Sequence, residues 1–194
     1  EKLCEQYHLN PDLPLFSFIG RFASEKGADM LPDIIRRSIQ ETEGELNFMV
    51  LGSGNLHLEY VLKELQKEFN VNFALDLGYK EHLSHQIYAS SDFLLMPSRV
   101  EPCGLNQMYA MRYGTIPIVR YTGGLKDTVV DIASGGNGLN YTFAGSDDAV
   151  HAIKRALYVY MDEELMKNLR NSTMNLDFSW EKSAEKYITL YNKN

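Results

Sequence analysis

Short apolar runs alternate along the chain with longer segments in which Leu, Ile and Met recur every three or four residues. The apolar runs predict strands at 15–19, 47–51, 73–77, 93–96, 116–119 and 139–141, and their lack of polar alternation is typical of strands buried on both faces. The periodic segments predict helices at 28–42, 56–69, 82–89, 105–112 and 125–132. Strands that alternate with helices in this way predict an α/β fold, a Rossmann-like doubly wound parallel sheet.

The last third of the chain has a different pattern, with helical spacing at 147–160, 163–171 and 179–191 and no strand between these segments. Ser179 is the predicted N-cap of the final helix. We therefore expect extra C-terminal helices on the sheet, and a single domain over 1–194. Core and helix packing is the predicted role of the aromatic side chains in this region, Tyr158, Tyr160, Trp180, Tyr187 and Tyr191.

Composition narrows the classes of partner. The chain has 194 residues, 44% hydrophobic and 23% charged, which excludes disordered and fibrous proteins. A formal net charge of −7 argues against nucleic acid or a membrane surface as a partner, because both require a basic face. Cys4 and Cys103 lie far apart without CxxC spacing and predict neither a disulfide nor a zinc site. Without an export or anchoring signal we expect a cytoplasmic protein, or a plastid one in a plant, and the initial Glu1 suggests a fragment of a longer chain.

The loops that follow the strands are the candidate site, because doubly wound sheets bind ligands outside the carboxyl ends of their strands. The first such loop carries Gly20, Arg21 and Lys26 just before a predicted helix. A helix start offers unpaired N–H groups and a partial positive charge, so these cations predict a site for an anion such as a diphosphate. On this loop alone, two solvated surface cations are an equally good interpretation.

The second loop contains Gly52 and Gly54 and resembles the opening of a dinucleotide fingerprint, with Asp76 at a suitable distance downstream. However, His57 occupies the third glycine position, where a bulky side chain would prevent close packing of helix on strand. This argues against an NAD-dependent oxidoreductase. The glycines still allow backbone to approach a ligand.

The segment 97–106 is the richest in candidate residues. Pro102 fixes the turn, Gly104 permits backbone approach, and the amides of residues 103–106 are predicted to point towards an anion. Glu101 would repel phosphate, but a carboxylate suits the hydroxyls of a sugar attached to a diphosphate. A structural turn with an incidental acid is the alternative interpretation.

A fourth loop, with Thr122, Gly123 and Gly124, precedes another predicted helix at the same edge of the sheet. Together the loops predict a nucleoside diphosphate that carries a sugar. The sequence has no Gly-Lys dipeptide of a P-loop and no Asp-x-Asp acid pair. His82 and His85 lie one helical turn apart but lack a third strong ligand, so we expect no metal site.

Four stretches of this sequence resemble the C-terminal, donor nucleotide-sugar binding domain of bacterial glycogen synthases and plant starch synthases, which are GT-B glycosyltransferases. The resemblance covers essentially the whole chain in the right order. The stretch around Glu101 is specific to these synthases, whereas many GT-B enzymes share the glycine loops. The stretches are GR at 20–21 with EKG at 25–27, SRVEPCGL at 98–105, MRYGTIP at 111–117 and TGGL at 122–125.

The resemblance implies a hexosyltransferase that moves glucose, with retention, from ADP-glucose to the non-reducing end of an α-1,4-glucan, without a cofactor or metal. It implies catalytic roles for Arg21 and Lys26, which would neutralise the departing diphosphate, and for Glu101, which would hold the glucose. Tyr79 would lie on the adenine. The remaining residues predicted to bind the donor are Gly20, Gly52, Gly54, Ser98, Arg99, Cys103, Gly104, Leu105, Thr122, Gly123 and Gly124.

The family's N-terminal domain supplies the acceptor groove, a Lys-x-Gly-Gly phosphate loop and a histidine near the reacting carbon, and none of these can be assigned here. We therefore expect half an active site, inactive alone, which meets its glucan through that domain. Tyr109 stands where many GT-B relatives carry a second glutamate, which disfavours trehalose- and sucrose-type enzymes. The choice between ADP-glucose and UDP-glucose is open, and the alternatives are another GT-B domain that uses a UDP-sugar or a nucleotide-binding module without turnover.

Overall fold

The computed structural model describes residues 1–192. Six strands form one sheet in the order β3-β2-β1-β4-β5-β6, and every neighbouring pair is parallel. This order confirms the doubly wound Rossmann-like prediction. The strands are β1 (Leu15–Phe22), β2 (Asn47–Gly54), β3 (Phe73–Leu77), β4 (Phe93–Met96), β5 (Ile116–Arg120) and β6 (Leu139–Tyr141).

Helices cover both faces of the sheet, and α1 to α9 take their numbers from the chain order. They are α1 (Lys2–Gln6), α2 (Leu31–Glu41), α3 (Leu56–Glu68), α4 (Glu81–Ser90), α5 (Asn106–Arg112), α6 (Leu125–Thr128), α7 (Ser146–Met161), α8 (Glu163–Met174) and α9 (Trp180–Tyr191). Short 3-10 turns lie at Ser24–Lys26, Ala28–Met30 and Ile132–Ser134.

Alternate residues of each strand pack on opposite faces, because successive side chains of a strand point in opposite directions. Phe16, Phe48 and Phe93 lie in the larger core, which α2, α3, α7 and α8 cover. Leu15 and Met49 lie on the other face, against α1 and α4. Farther along that face, β4 and β5 pack against α4, α5 and α6. Both faces are therefore apolar, as the continuous apolar runs predict.

The first two strands are longer than predicted, and this changes the site. Gly20 and Arg21 lie within β1, while Gly52 and Gly54 lie within β2, so none of the four is in a loop. Gly20 pairs with Gly52 in the register of the two strands. The sequence predicts loops at these positions because glycine is common in turns. In the structure, glycine allows the backbones of two strands to lie close together, and nothing in the neighbouring sequence indicates this role.

Two helical expectations differ from the structure. The predicted helix at 125–132 is wrong beyond Thr128: α6 ends there, and Val129 is extended with φ −119° and ψ 108°. The β-branched run from Thr128 to Val130 explains the ending, since such side chains favour extended backbone. Helix α1 was not predicted, and it is fixed to the sheet by Tyr7, whose hydroxyl donates to Asp76 Oδ2 at 2.7 Å.

The C-terminal helices form as predicted, and Ser179 caps α9 by accepting a hydrogen bond from the amide of Lys182. Most of the aromatic side chains expected in packing are exposed instead, including Tyr158, Trp180 and Tyr191, at 74%, 87% and 72%. Tyr187 is also exposed, whereas Tyr160 packs partly against the core. Helix α9 has no buried residue. Over the described part of the chain, a helix with the length and apolar character needed to cross a membrane does not occur.

Candidate functional site

A small hollow opens at the carboxyl ends of β1 and β4, the adjacent strands from which the chain winds in opposite directions. This is the switch point at which doubly wound sheets bind ligands. The hollow measures about 60 Å³, far below the ~300–1,000 Å³ of a pocket that encloses a small molecule. The hollow formed by the described residues is therefore too small to enclose such a molecule by itself. The wall consists of Phe18, Ile19, Gly20, Lys26, Leu95, Met96, Ser98, Glu101, Gly104, Leu105 and Asn106.

Lys26 and Glu101 face each other in this hollow. Lys26 Nζ donates to both carboxylate oxygens of Glu101, at 2.9 and 2.7 Å, and Ser98 Oγ donates to Glu101 Oε2 at 3.1 Å. The Glu101 side chain is 7% exposed and that of Lys26 is 28% exposed. A lysine ammonium has three N–H donors, so one remains for another acceptor when two are used on Glu101.

The turn before α5 presents its backbone to the same hollow. The amides of Gly104, Leu105 and Asn106 have no hydrogen-bond partner within residues 1–192, and no side chain caps the helix. Asn106 Nδ2 donates to the carbonyl of Ile19 at 2.7 Å and so joins this turn to β1. Of the predicted cations and turn residues, Lys26, Gly104 and Leu105 line the hollow together, whereas Arg21 and Cys103 do not.

Two predicted cations do not line the hollow. Arg21 is at the same edge of the sheet, but its side chain is 73% exposed and pairs with Glu25 at 3.0 Å. Arg99 turns away to Asp29, with bonds of 2.5 and 2.9 Å, and to the carbonyl of Ser24. The hydrogen bonds from Arg99 lower the pKa of the Asp29 carboxyl. The predicted contact of the Arg99 side chain with the donor is not supported by this arrangement.

Most of the glycines predicted to bind the donor instead allow close packing within the protein. A Cβ on Gly52 would lie 2.1 Å from the carbonyl oxygen of Gly20, and one on Gly54 would lie 2.7 Å from that of Phe22. Neither glycine lines the hollow. Gly20 is different, because an added Cβ would meet only the ring of Phe18, at 3.4 and 3.6 Å.

The fourth loop packs on the segment that carries Glu101. A Cβ on Gly123 would lie 1.9 Å from the carbonyl oxygen of Glu101, and one on Gly124 would lie 2.6 Å from that of Cys103. The Gly124 amide donates to the Glu101 carbonyl at 3.0 Å, so the expectation that it faces a ligand is wrong. These glycines bring two loops into contact and thereby fix the position of Glu101.

The remaining predicted residues lie around the hollow rather than in its wall. Tyr79 follows β3 at the same edge of the sheet and is 88% exposed. The Thr122 hydroxyl is 3.4 Å from the carbonyl of Arg99. The side chain of Cys103 is exposed. Their contacts with a donor stay predictions.

Sequence reasoning missed the side chains of Asn106 and Gln107, and it noted Arg120 beside the fourth loop without its role in holding the segment before Glu101. Asn106 is in the wall, and Gln107 is fully buried beneath the turn. Arg120 Nε donates to the carbonyl of Ser98 at 2.7 Å, and its Nη2 donates to that of Arg99. Gln107 had a signal in the sequence, because it shares the buried face of α5 with Ala110 and Met111 and is the polar member of that face.

Two alternative sites lose support. Asp76 does not line the hollow; it accepts from Tyr7 and pairs with Lys80 at 2.6 Å, and it thereby joins both residues to β3. His85 Nδ1 lies 3.1 Å from the hydroxyl of Tyr113. In residues 1–192, no group of three or more His, Cys, Asp or Glu side chains is arranged to hold a metal ion.

Comparison with known proteins places the chain in a family. Residues 1–175 match the model of the glycosyl transferases group 1 family. The chain belongs to this family. The chain is 50% identical to a glycogen synthase of Flavobacterium johnsoniae over 192 residues. This alignment covers 99% of the chain and 41% of that protein. A glycogen synthase of Clostridium perfringens is 42% identical over 186 residues, 94% of this chain and 38% of its own length. The chain thus spans about two fifths of the length of these curated relatives.

Two solved structures have the same fold over almost the whole of this chain. The catalytic domain of starch synthase IV from Arabidopsis thaliana, bound to ADP and acarbose, superposes with a TM-score of 0.86 at 38% identity, over 99% of this chain and 41% of that one. A sucrose-phosphate synthase from Thermosynechococcus elongatus matches with a TM-score of 0.70 at 24% identity, over 98% of this chain and 47% of the other, and indicates the fold alone. This chain therefore has the fold of the Rossmann-like half of a GT-B glycosyltransferase, as predicted.

Proposed function

We propose that this chain is the donor-binding half of a glycogen synthase. In the whole enzyme, glucose passes with retention from ADP-glucose to the non-reducing end of an α-1,4-glucan. The observation that carries the proposal is the hollow in which Lys26, Glu101 and the amides of residues 104–106 face one another. The glycogen synthase relatives and the ADP-bound starch synthase support the substrate class.

The diphosphate fits the basic and amide part of the wall. Lys26 holds Glu101 with two of its hydrogens, and its third can reach a phosphate oxygen. The unpaired amides of the turn are further donors of the kind that anions favour. Arg21 can join them at low cost, because its exposed pair with Glu25 is worth about 0–1 kcal/mol.

The sugar fits the acidic part. The carboxylate of Glu101 is held by Lys26 and Ser98, and its remaining lone pairs can accept from hydroxyls of glucose. Glu101 is the one carboxylate in the wall formed by residues 1–192, so a second acid for a glycosidase-like pair is not at hand there. Departure of ADP aided by fixed positive groups, with the acceptor entering on the same face, needs no side-chain nucleophile, and such stabilisation is worth several kcal/mol.

The wall needs a second domain to become a closed site. Helix α9 supports this part of the proposal, because Trp180, Tyr187 and Ile188 are exposed and the helix buries none of its apolar residues. Large exposed apolar patches mark interaction sites. We propose that an N-terminal domain, outside this chain, carries the glucan groove and covers these side chains. The cytoplasmic or plastid location stays a prediction.

Calorimetry with ADP, ADP-glucose, UDP-glucose and NAD tests the proposal. We expect ADP and ADP-glucose to bind most tightly. Replacement of Lys26 by Met should weaken ADP binding by about 10- to 150-fold, the equivalent of one charged hydrogen bond of roughly 1.5–3 kcal/mol. Lys67→Met is the matched control, since Lys67 is an exposed lysine of α3 paired with Glu64.

Other binding or turnover results would favour other functions. Tighter binding of UDP-glucose would favour a GT-B enzyme for UDP-sugars, and tighter binding of NAD would contradict the proposal. In the full-length protein, Lys26→Met should also lower turnover on glycogen. Nucleotide binding without any turnover by the full-length protein would favour a binding module instead.

A further inference from the structure

The fully buried side chain of Gln107 lies directly beneath the turn that enters the hollow. Its Nε2 is 3.2 Å from the carbonyl oxygen of Cys103, 3.0 Å from that of Gly104 and 3.1 Å from Thr128 Oγ1. Both carbonyl oxygens can only accept, so the nitrogen of the amide must face them. Gln107 Oε1 has no hydrogen-bond partner within residues 1–192. The side chain is thus committed to donating to the turn.

The planarity of the peptide bond makes these contacts decisive for the outer side of the turn. A trans peptide directs its C=O and its N–H in opposite directions, and there is no cis peptide in the described chain. Gln107 holds the carbonyls of Cys103 and Gly104 inwards, so the amides of Gly104 and Leu105 must point outwards. Gly104 and Leu105 line the hollow, and these two amides are among its unpaired donors.

Gly104 completes the arrangement. Its φ of 77° lies in the left-handed region that favours glycine, and the carbonyls of Cys103 and Gly104 both lie within hydrogen-bond distance of Gln107 Nε2. A Cβ at this position would lie 2.5 Å from Gln107 Oε1. A side chain at position 104 would therefore displace the buried amide of Gln107.

We propose that Gln107 is a positioning residue that orients the Gly104 and Leu105 amides towards the diphosphate of the donor. This inference rests on the function proposed above. Gln107 itself touches no substrate, because it is fully buried. Its effect is specific: it sets the affinity for the nucleotide diphosphate and leaves the affinity for the glucan unchanged.

Gln107→Leu in the full-length enzyme tests this inference, since it keeps the approximate volume and removes the donor. We expect the Kd for ADP and the KM for the sugar nucleotide to rise about ten-fold or more, as for the loss of a hydrogen bond to a charged group. The KM for glycogen should stay the same. In Gln107→Glu, protonation of the carboxyl restores one donor, so its ADP affinity should recover as the pH falls, relative to that of Gln107→Leu.

Asn47→Leu is a matched control for lost stability. Asn47 is also fully buried, its Nδ2 donates to the carbonyls of Asn10 and Leu13, and its Oδ1 has no partner within residues 1–192. It lies at the start of β2, at the opposite edge of the sheet. We expect Asn47→Leu to lower the melting temperature but to leave the Kd for ADP unchanged.

The outcomes separate this inference from the proposed function. If Gln107→Leu binds ADP like the wild type while Lys26→Met does not, the positioning role is wrong and the donor site stands. If both Leu variants weaken ADP binding equally, Gln107 contributes stability alone and the inference is overturned. If the wild-type protein binds no ADP, the proposed function itself fails.

Discussion

Gly20→Ala changes one wall of the hollow by a single methyl group. Because the backbone of Gly20 is not left-handed and a Cβ would meet only Phe18 at 3.4 Å, the folded protein can accept alanine there. Alanine is favoured over glycine within strands by about 0.5–1 kcal/mol, so the free energy of unfolding should stay the same or rise slightly. The new methyl group lies on a wall of a hollow of only about 60 Å³, in which Phe18 is a neighbour.

The cost should appear in ligand binding. An extra methyl group in a tight site costs about 1–3 kcal/mol, which corresponds to about a 5- to 150-fold increase in the Kd for ADP. Calorimetry gives the Kd, and urea denaturation gives the free energy of unfolding. A Gly20→Ala protein that binds ADP as tightly as the wild type would refute the placement of the donor against β1.

Gly52→Ala is the matched control, because Gly52 is the register partner of Gly20 on the adjacent strand. Its Cβ would lie 2.1 Å from the carbonyl oxygen of Gly20 and 2.7 Å from the ring of Phe22. We expect it to lose at least about 1–3 kcal/mol of stability by overpacking. Equal stability of the two variants would show that the different roles assigned to these glycines are wrong.

Two further predictions concern a carboxylate and an exposed aromatic residue. Asp131 is partly buried, which alone would raise its pKa, but hydrogen bonds from Arg155 and from the amides of Asn140 and Ala133 lower the pKa overall. Its contribution is therefore present above the usual value of about 3.9 and is lost as the pH falls through the lowered value in the folded state. Asp131→Asn should lower the free energy of unfolding by about 1–3 kcal/mol at pH 7, and the difference from the wild type should shrink below about pH 4. Urea denaturation at both pH values measures this difference. A difference that does not change with pH would count against this interpretation. Trp180→Ser in this chain should change the free energy of unfolding by no more than about 0.5 kcal/mol, since the side chain is 87% exposed. In the full-length protein the same substitution should be destabilising. A large loss of unfolding free energy in the chain alone would show that α9 packs on this domain.

The strands and the site's location could be predicted because they depend on local patterns. A strand buried on both faces is a continuous apolar run, and the parallel arrangement brings the following loops to one edge. The sequence therefore predicts that Lys26, Ser98, Glu101 and Gly104 lie at one edge of the sheet, and all four line the hollow.

The remaining features depend on contacts between distant segments. Arg99 has the same charge and loop position as a ligand-binding cation, but Asp29 engages it, and the sequence does not show that these residues meet. In the sequence, Gly123 and Gly124 look like part of a phosphate-binding loop. In the structure, glycine is needed at both positions because the backbone passes close to residues 101–103. Gln107 was missed because its partners are backbone carbonyls, whose direction depends on the left-handed conformation of Gly104.

A crystal structure of the protein with ADP bound would show directly where the diphosphate lies. We expect it at the ends of β1 and β4, with its oxygens about 2.7–3.2 Å from Lys26 Nζ and from the amide nitrogens of Gly104 and Leu105. A diphosphate bound elsewhere, for example in the groove between the starts of α2 and α3 near Asp33 and His57, would contradict this expectation.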